Sequence, residues 1–268
     1  MTLIWRPGYI TTFADPDVQS YLTRVEEADN QRLEYPVAVA IDEFIRGCKE
    51  DGIWPAIKAS CIMAGARTLA GALVPLVGAA PTNFNFVAGD YDRKTGLKGN
   101  GSTKYLDTGR LISADPQNNN HLSYYVTTAS STGVYGGVRS NNPSGVGDSL
   151  IEAVIPTSYP FRNRVSSFIP AGTGSRSLVG AVGFIATSRS SSANFITRDS
   201  GVQQTLVVTS AAVSASLNVF VFVGNNVGVP GGYSNARLAF YSIGEALDLA
   251  LLDARITTLI NRFAVVIP

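Results

Sequence analysis

The sequence predicts a mainly β protein: an antiparallel β-sandwich over roughly Asn83 to Ser242, with helical segments on either side. Three observations predict it. From Asn83 onward, short runs rich in β-branched and aromatic residues alternate with clusters of Gly, Asn, Ser and Pro, and turn signals recur about every ten residues, the spacing of a sandwich. No long helical pattern interrupts that zone, which argues against alternating strand and helix around a parallel sheet. The chain of 268 residues is only 15% charged and holds 26 glycines, as suits many tight turns.

The elements follow in chain order. Asp15-Pro16-Asp17 is a helix start, an acid that can cap followed by proline in the first turn, and Val18, Tyr21, Leu22 and Val25 then share one face. A second helix is expected from about Pro36 to Glu50, with Val37, Ile41, Phe44, Ile45 and Cys48 at helical spacing and Asp51-Gly52 ending it. Trp54-Pro55-Ala56-Ile57 opens a shorter turn. The run from Ala59 to Gly78 fits a buried strand or a helix, because a short apolar run has no decisive period.

Eleven strands are expected: 83–87, 104–108, 121–127, 133–139, 149–155, 162–168, 177–186, 193–198, 205–208, 218–222 and 236–242. Asn100-Gly101, between Lys98 and Lys104, reads as a hairpin turn, since the primed turn needs positive φ at both central residues. The chain closes with a helix capped by Asp248, on which Leu249, Leu252, Ile256, Leu259, Ile260 and Phe263 form one apolar stripe. Residues 1–82 thus read as an N-terminal arm and helical docking region, and 83–268 as the sandwich with its closing helix.

Charge and composition narrow the function. Residues 83–242 carry 12 Lys and Arg against 7 Asp and Glu, a mild surplus that is scattered rather than gathered into the stripe a duplex binder uses, so no nucleic-acid partner is expected. Cys48 and Cys61 form no C-x-x-C pair and there is one histidine, which leaves no Cys/His zinc site and no disulfide framework. Two thiols fit a reducing place of synthesis. The opening Met1-Thr-Leu-Ile-Trp-Arg-Pro-Gly does not read as a secretory signal. The charge-free run between Asp199 and Arg237 is too broken by amides and glycines to insert into a membrane.

Four constellations hold residue types that could carry chemistry. Gly96 to Thr103 is glycine-rich but has Ser102 where a phosphate-binding loop needs lysine, and a strand rather than a helix follows. Asp90 and Asp92, with Asp107 and Asp115, offer oxygens for calcium without the spacing of a calcium loop. His121, near Ser123 and Asp115, lacks the context of a triad. Tyr124, Tyr125, Tyr135, Tyr159, Phe161 and Tyr233 lie near expected turns, where rings either stack on sugar faces or fill a core. No catalytic, cofactor-binding or metal-binding residue is therefore assigned, no cofactor is expected, and ligand-contacting positions stay unassigned.

Two stretches resemble a known group. Thr95 to Gly109 (TGLKGNGSTKYLDTG) looks like the opening strands of laminin-G or concanavalin A-like modules in tailed-phage structural proteins. Ser234 to Asp248 (SNARLAFYSIGEALD), with the helix after it, is similar to their closing strand and terminal helix; Asp51 to Trp54 and Gly71 to Gly78 are familiar from the same group. The resemblance implies a two-sheet jelly roll in a virion component made in the host cytoplasm: a tail fibre or adhesin facing host surface glycan or neighbouring virion proteins, or a head decoration protein. Separately, the helices before Asp51 are too short to be stable alone and carry apolar faces that need a partner, so a homo-oligomer, a trimer being favoured, is expected, with residues 1–50 forming much of the contact to copies or to the particle unless they fold back on the chain's own sandwich. Glucanase cousins carry E-x-D-x-x-E on one strand; this sequence has no such triplet, so hydrolysis is not carried over, and a polysaccharide depolymerase is the rival from another class.

Overall fold

The computed structural model describes residues 13–140, 145–153, 161–166, 180–212 and 216–268. Two helices come first, α1 (Pro16–Asp29) and α2 (Tyr35–Glu50), then β1 (Ile57–Ile62) and the single turn α3 (Leu69–Ala72). The strands β2 (Thr82–Phe84), β3 (Tyr91–Asp92), β4 (Gly96–Lys98), β5 (Tyr105–Leu111), β6 (Asn120–Thr128), β7 (Val134–Arg139), β8 (Ser149–Glu152) and β9 (Phe161–Asn163) follow. After them come β10 (Gly183–Arg189), β11 (Phe195–Asp199), β12 (Val202–Leu206), β13 (Asn218–Val221), β14 (Gly224–Asn226), β15 (Val229–Gly231), β16 (Arg237–Gly244) and α4 (Leu249–Val266).

The strands form two sheets. Sheet A runs β12-β11-β10-β6-β16, and the far side of β16 is shared by β1 and by β4, which carries β3. Sheet B runs β15-β14-β7-β13-β5-β2, with β8 and β9 added beside β7. Among the described strands one pair, β14 with β7, is parallel; the rest are antiparallel. The fold is thus mainly β and sandwich-like, with an N-terminal helical region and a C-terminal helix, as the sequence texture predicts.

Alternation along the strands sorts the core into two layers. Leu122, Tyr124 and Val126 of β6, Ile185 of β10 and Leu238, Tyr241 and Ile243 of β16 face sheet B and meet Leu106, Val219 and Val221 there. Tyr125, Phe184, Ala186 and Phe240 face the other way, into a second core made with α1, α2 and α4. The six apolar side chains of the α4 stripe are all buried in that second core, and Val37, Ile41, Phe44, Ile45 and Cys48 of α2 join them. The molecule is three layers deep: sheet B, sheet A, helices. The apolar faces of α1 and α2, too short to stand alone in water, are filled by the chain's own sandwich.

Helix ends follow their caps. Asp15 accepts from the N–H groups of Asp17 and Val18, Asp248 from those of Ala250 and Leu251, and Gly52, at φ 72°, lies just past α2. The ambiguous run after Ala59 resolves as a strand, β1, then one helical turn; β1 is hydrogen-bonded into sheet A along β16.

The hairpin expected at Asn100-Gly101 does not form. β4 before it pairs with β16 in sheet A, and β5 after it lies in sheet B, so this segment is a crossing between sheets. Asn100 Oδ1 accepts from the N–H groups of Ser102, Thr103 and Lys104, so the side chain turns its own loop. Strands β3, β4, β14 and β15, of two or three residues each, went unpredicted. Parts of the expected strands 149–155, 162–168 and 177–186, with Tyr159 and most of the N-terminal arm, lie outside the described residues.

Candidate functional site

The helix layer covers the outer face of sheet A; among the described residues no helix covers the outer face of sheet B. On β5, Leu106 points into the core while Tyr105 and Asp107 point out; on β13, Val219 and Val221 are core and Phe220 points out. Register sets Phe84 of β2 directly opposite Tyr105.

The outcome is an aromatic ladder. The rings of Phe84 and Tyr105 are stacked in parallel, with centroids 4.3 Å apart and planes 4° from parallel. Tyr105 also meets Phe220 at 5.1 Å and, edge-on, Tyr233 at 6.2 Å. Phe84 is 36% exposed and Tyr105 and Tyr233 are half-buried, while Phe220 forms the floor at 7%. Burial pushes the Tyr105 hydroxyl above its ordinary pKa, with Tyr233 and Asp107 adding to the shift, so it stays protonated and able to donate. Next to it Asp107 accepts from the Asn218 side-chain amide at 3.2 Å. A flat ring surface beside a hydroxyl, a carboxylate and an amide is suited to a ligand with one apolar face and a polar rim.

The positions singled out in the sequence mostly serve the fold. Gly99 and Gly101 donate their N–H groups to Ala236 and Ser234 carbonyls, so the amides that would cradle a phosphate are spent on the chain. A side chain at Gly96 or Gly99 would collide with a backbone oxygen, of Leu238 or Ser234 respectively, at 2.2 Å. These glycines allow close approach of two chain segments. The four candidate calcium acids are not brought together: Asp90 pairs with Lys104, Asp92 caps the turn at Lys94 and Thr95, Asp107 binds Gly109 N–H and Asn218, and Asp115 pairs with Arg110. Among the described residues no three His, Cys, Asp or Glu gather as a metal site.

His121 is buried on β6, with Nδ1 2.6 Å from the Glu245 carbonyl and Nε2 2.8 Å from the Ser242 hydroxyl. Ser123 instead donates to the Ser242 carbonyl. Of the aromatic candidates among the described residues, Tyr124, Tyr135 and Phe161 are core, Tyr125 packs under the helices, and Tyr233 reaches the ladder. Phe84, Tyr105 and Phe220 escaped the sequence reading. Their signal was the alternation Tyr105-Leu106-Asp107 and Val219-Phe220-Val221, an aromatic at an outward position between core residues.

Among the described residues six carboxyl groups are held low. Lys49 holds Asp15 low, Arg255 holds Asp51 low and Lys58 holds Glu245 low. At Glu34 and Asp90 burial pushes upward, and the hydrogen bonds and charges around them, led by Arg93 and Lys104, together outweigh it; Asp92 is held low by Thr95, whose hydroxyl and N–H both donate to it.

Comparison with known proteins gives little. No family model matches the chain, and no curated protein matches it. Among solved structures it is similar to domain 4 of a GH43 extracellular arabinanase from Geobacillus stearothermophilus, at 13% identity over 67% of this chain and 82% of that one, with a TM-score of 0.39. It is also similar to the enzymatically active domain of tailspike protein 2 of bacteriophage CBA120, at 13% identity, 68% and 29% coverage and a TM-score of 0.37. A mutant sialidase of Trypanosoma rangeli displaying trans-sialidase activity aligns at 12% identity, 83% and 39% coverage and a TM-score of 0.42. The chain spans less than two fifths of the tailspike and sialidase lengths. Likenesses this slight carry no argument about what the chain does.

Proposed function

We propose that this protein is a non-enzymatic structural component of a tailed-phage virion, a tail fibre or adhesin that presents sheet B to host surface glycan. The observation that carries the glycan reading is the Phe84–Tyr105–Phe220–Tyr233 ladder on the sheet face without a helix layer. Pyranose rings have an apolar face that lies on such rings and hydroxyls that meet the Tyr105 hydroxyl and the Asp107–Asn218 pair. The virion setting draws on the ordered resemblance of Thr95–Gly109 and Ser234–Asp248 to phage modules. Self-association and docking to other virion proteins belong to the same proposal.

The test is to titrate the protein with purified host envelope polysaccharide while assaying new reducing ends. Binding is expected without steady release of ends. Phe84→Ala and Tyr105→Ala should each weaken it about fivefold, the equivalent of about 1 kcal/mol per stacked ring. Binding unchanged in both variants would remove the ladder from the reading, and steady release of reducing ends would replace the adhesin with a depolymerase.

A further inference from the structure

We infer that a cleft beside the aromatic ladder holds the acetamido group of a glycan, so that this surface selects N-acetylated sugars over their plain counterparts; the inference rests on the glycan reading proposed above. The cleft, of about 280 Å³, lies at the seam of the two sheets, between β1 of sheet A and the last residues of β5 in sheet B. Ala59, which is buried, forms its floor, and the exposed Ala79, Leu111 and Ala114 form its walls. Lys58 and Arg110 bring polar groups to the lining.

The cleft and the ladder share a strand and a chain of hydrogen bonds. β5 carries Tyr105 and Asp107 on the ladder side and then Gly109 and Leu111 in the cleft. Asp107 Oδ1 accepts from the Gly109 N–H at 2.9 Å. Its Oδ2 accepts from the side-chain amide of Asn218, and Asn218 lies opposite Leu111 in the pairing of β13 with β5. Phe220 lies opposite Asp107. At roughly 3.3 Å per residue, Gly109 is about 7 Å along the strand from Asp107. A sugar that covers Phe220 and meets Asp107 therefore brings a ring substituent to the mouth of the cleft.

Size and charge say which substituent. A pocket that encloses a whole ligand measures about 300–1,000 Å³; this one is smaller and open to solvent, which suits a side group. Its cations are balanced, Lys58 by Glu245 and Arg110 by Asp115, so the cleft favours an uncharged group over an anion. Arg110 gives Nε and Nη2 to Asp115, which leaves its Nη1 hydrogens to donate to a carbonyl. An acetamido group has a part for each neighbour: the methyl for the alanine and leucine walls, the carbonyl for Arg110, and the N–H for Asp107, whose oxygens can each accept a further bond. A hydroxyl in its place leaves the apolar walls uncovered.

The test is an NMR titration of the full chain with N-acetylglucosamine, N-acetylgalactosamine and N-acetylmannosamine, each against its parent hexose. At least one N-acetylated sugar should bind about tenfold tighter than its parent, the size expected of one buried methyl and one hydrogen bond. Ala79→Leu and Ala114→Leu fill the cleft from exposed positions, where a larger side chain leaves the fold intact. Each should bring the preference down to about twofold or less. Phe84→Ala should weaken both members of a pair by the same factor and keep the preference, because it removes a ring and leaves the cleft. Parent and N-acetylated sugars that bind alike overturn the inference and leave the glycan reading standing. A preference that survives both filling variants overturns it as well. So does the absence of binding by any of these sugars, and the polysaccharide titration then decides whether the glycan reading falls with it.

Discussion

His121 makes the stability of this protein depend on pH between its ordinary pKa of 6.5 and about 4. It is the one histidine in the chain, on β6 and 2% exposed. The neutral ring fits its partners: Nδ1–H donates to the Glu245 carbonyl and Nε2 accepts from the Ser242 hydroxyl, a tautomer assigned from those partners. Burial pushes its pKa down from 6.5 to about 4; the bond to Glu245 and the charge of Asp115 pull the other way, and Arg110 adds to the lowering. As pH falls below 6.5 the unfolded chain takes up a proton that the folded chain refuses until about 4. The stability conferred by the neutral ring is whole above 6.5 and is lost as pH falls to about 4. At 1.36 kcal/mol per pH unit, that gap corresponds to about 3 kcal/mol, a large share of the 5–15 kcal/mol typical of a domain.

The assay is urea unfolding at intervals of half a pH unit from 7.5 to 4.5. The free energy should be flat above pH 7 and then fall with a slope approaching 1.36 kcal/mol per unit, the signature of one proton. The lowered carboxylates begin to contribute their own loss only from about pH 5 downward, at the foot of this window, so the slope above pH 5 belongs to the histidine. His121→Gln, which can keep one of the two hydrogen bonds, should start less stable at pH 7.5 and lose little down to pH 5. The lone imidazole signal in an NMR titration gives the pKa directly. An imidazole that titrates near 6.5, or a variant with the same slope as wild type, refutes the reasoning.

Other perturbations have expected outcomes of their own. Ile256→Asp places a charge in the core beneath α4 and should cost about 3–5 kcal/mol or abolish folding, whereas Ala254→Asp on the exposed side of the same helix should shift the melt little. Arg189→Met should cost about 3–5 kcal/mol in urea unfolding, because the buried guanidinium donates to four carbonyls, of Asn163, Ser191, Asn194 and Val208, which would all lose their partner. Gly96→Ala should cost about 1–3 kcal/mol beyond the cost of Gly52→Ala: both sit at positive φ, but only at Gly96 does the added carbon meet a backbone oxygen. Equal melting temperatures for the two glycine variants would show that β4 can move away from β16.

What the sequence revealed depended on whether the signal was local. Asp15 and Asp248 announced their helices because a cap is a bond between neighbours in sequence. β1 stayed ambiguous because nothing within Ile57–Ile62 tells strand from helix; pairing with Phe240–Gly244, nearly two hundred residues away, decides it. Turns misled in an instructive way. Asn100-Gly101 had the residues of a hairpin but flanking segments bound for different sheets. The two-residue turns that do close hairpins, Ser200-Gly201 and Val227-Gly228, place Ser and Val at positive φ where Asn would be expected. Neighbouring strands impose those conformations, so composition does not show them. The aromatic ladder was hidden for a similar reason: each ring lies at an alternate strand position, but only the sheet order puts β2, β5 and β13 side by side.

The positive surplus of the middle zone shows how burial changes the meaning of a count. Residues 83–242 carry 12 basic against 7 acidic side chains, a surplus of five. Arg164 and Arg189 are almost wholly buried, and they donate to carbonyls, of Ile112 and Asp115 for the first and of four residues for the second. Burial pushes the pKa of each down to about 10, which leaves both charged at neutral pH. They hold loops together and offer nothing to a polyanion. Setting them aside leaves 10 against 7, a surplus of three. Arg162 is buried as well, against Asp148 and Glu152, and Arg139 pairs with Glu152. The cations that made the zone look faintly basic are thus largely structural. The outer face of sheet B around the ladder carries ring faces, a hydroxyl, an amide and Asp107. If the proposed glycan reading holds, neutral polysaccharide should bind this face in preference to a sulfated or phosphorylated one, and parallel binding titrations with the two check it.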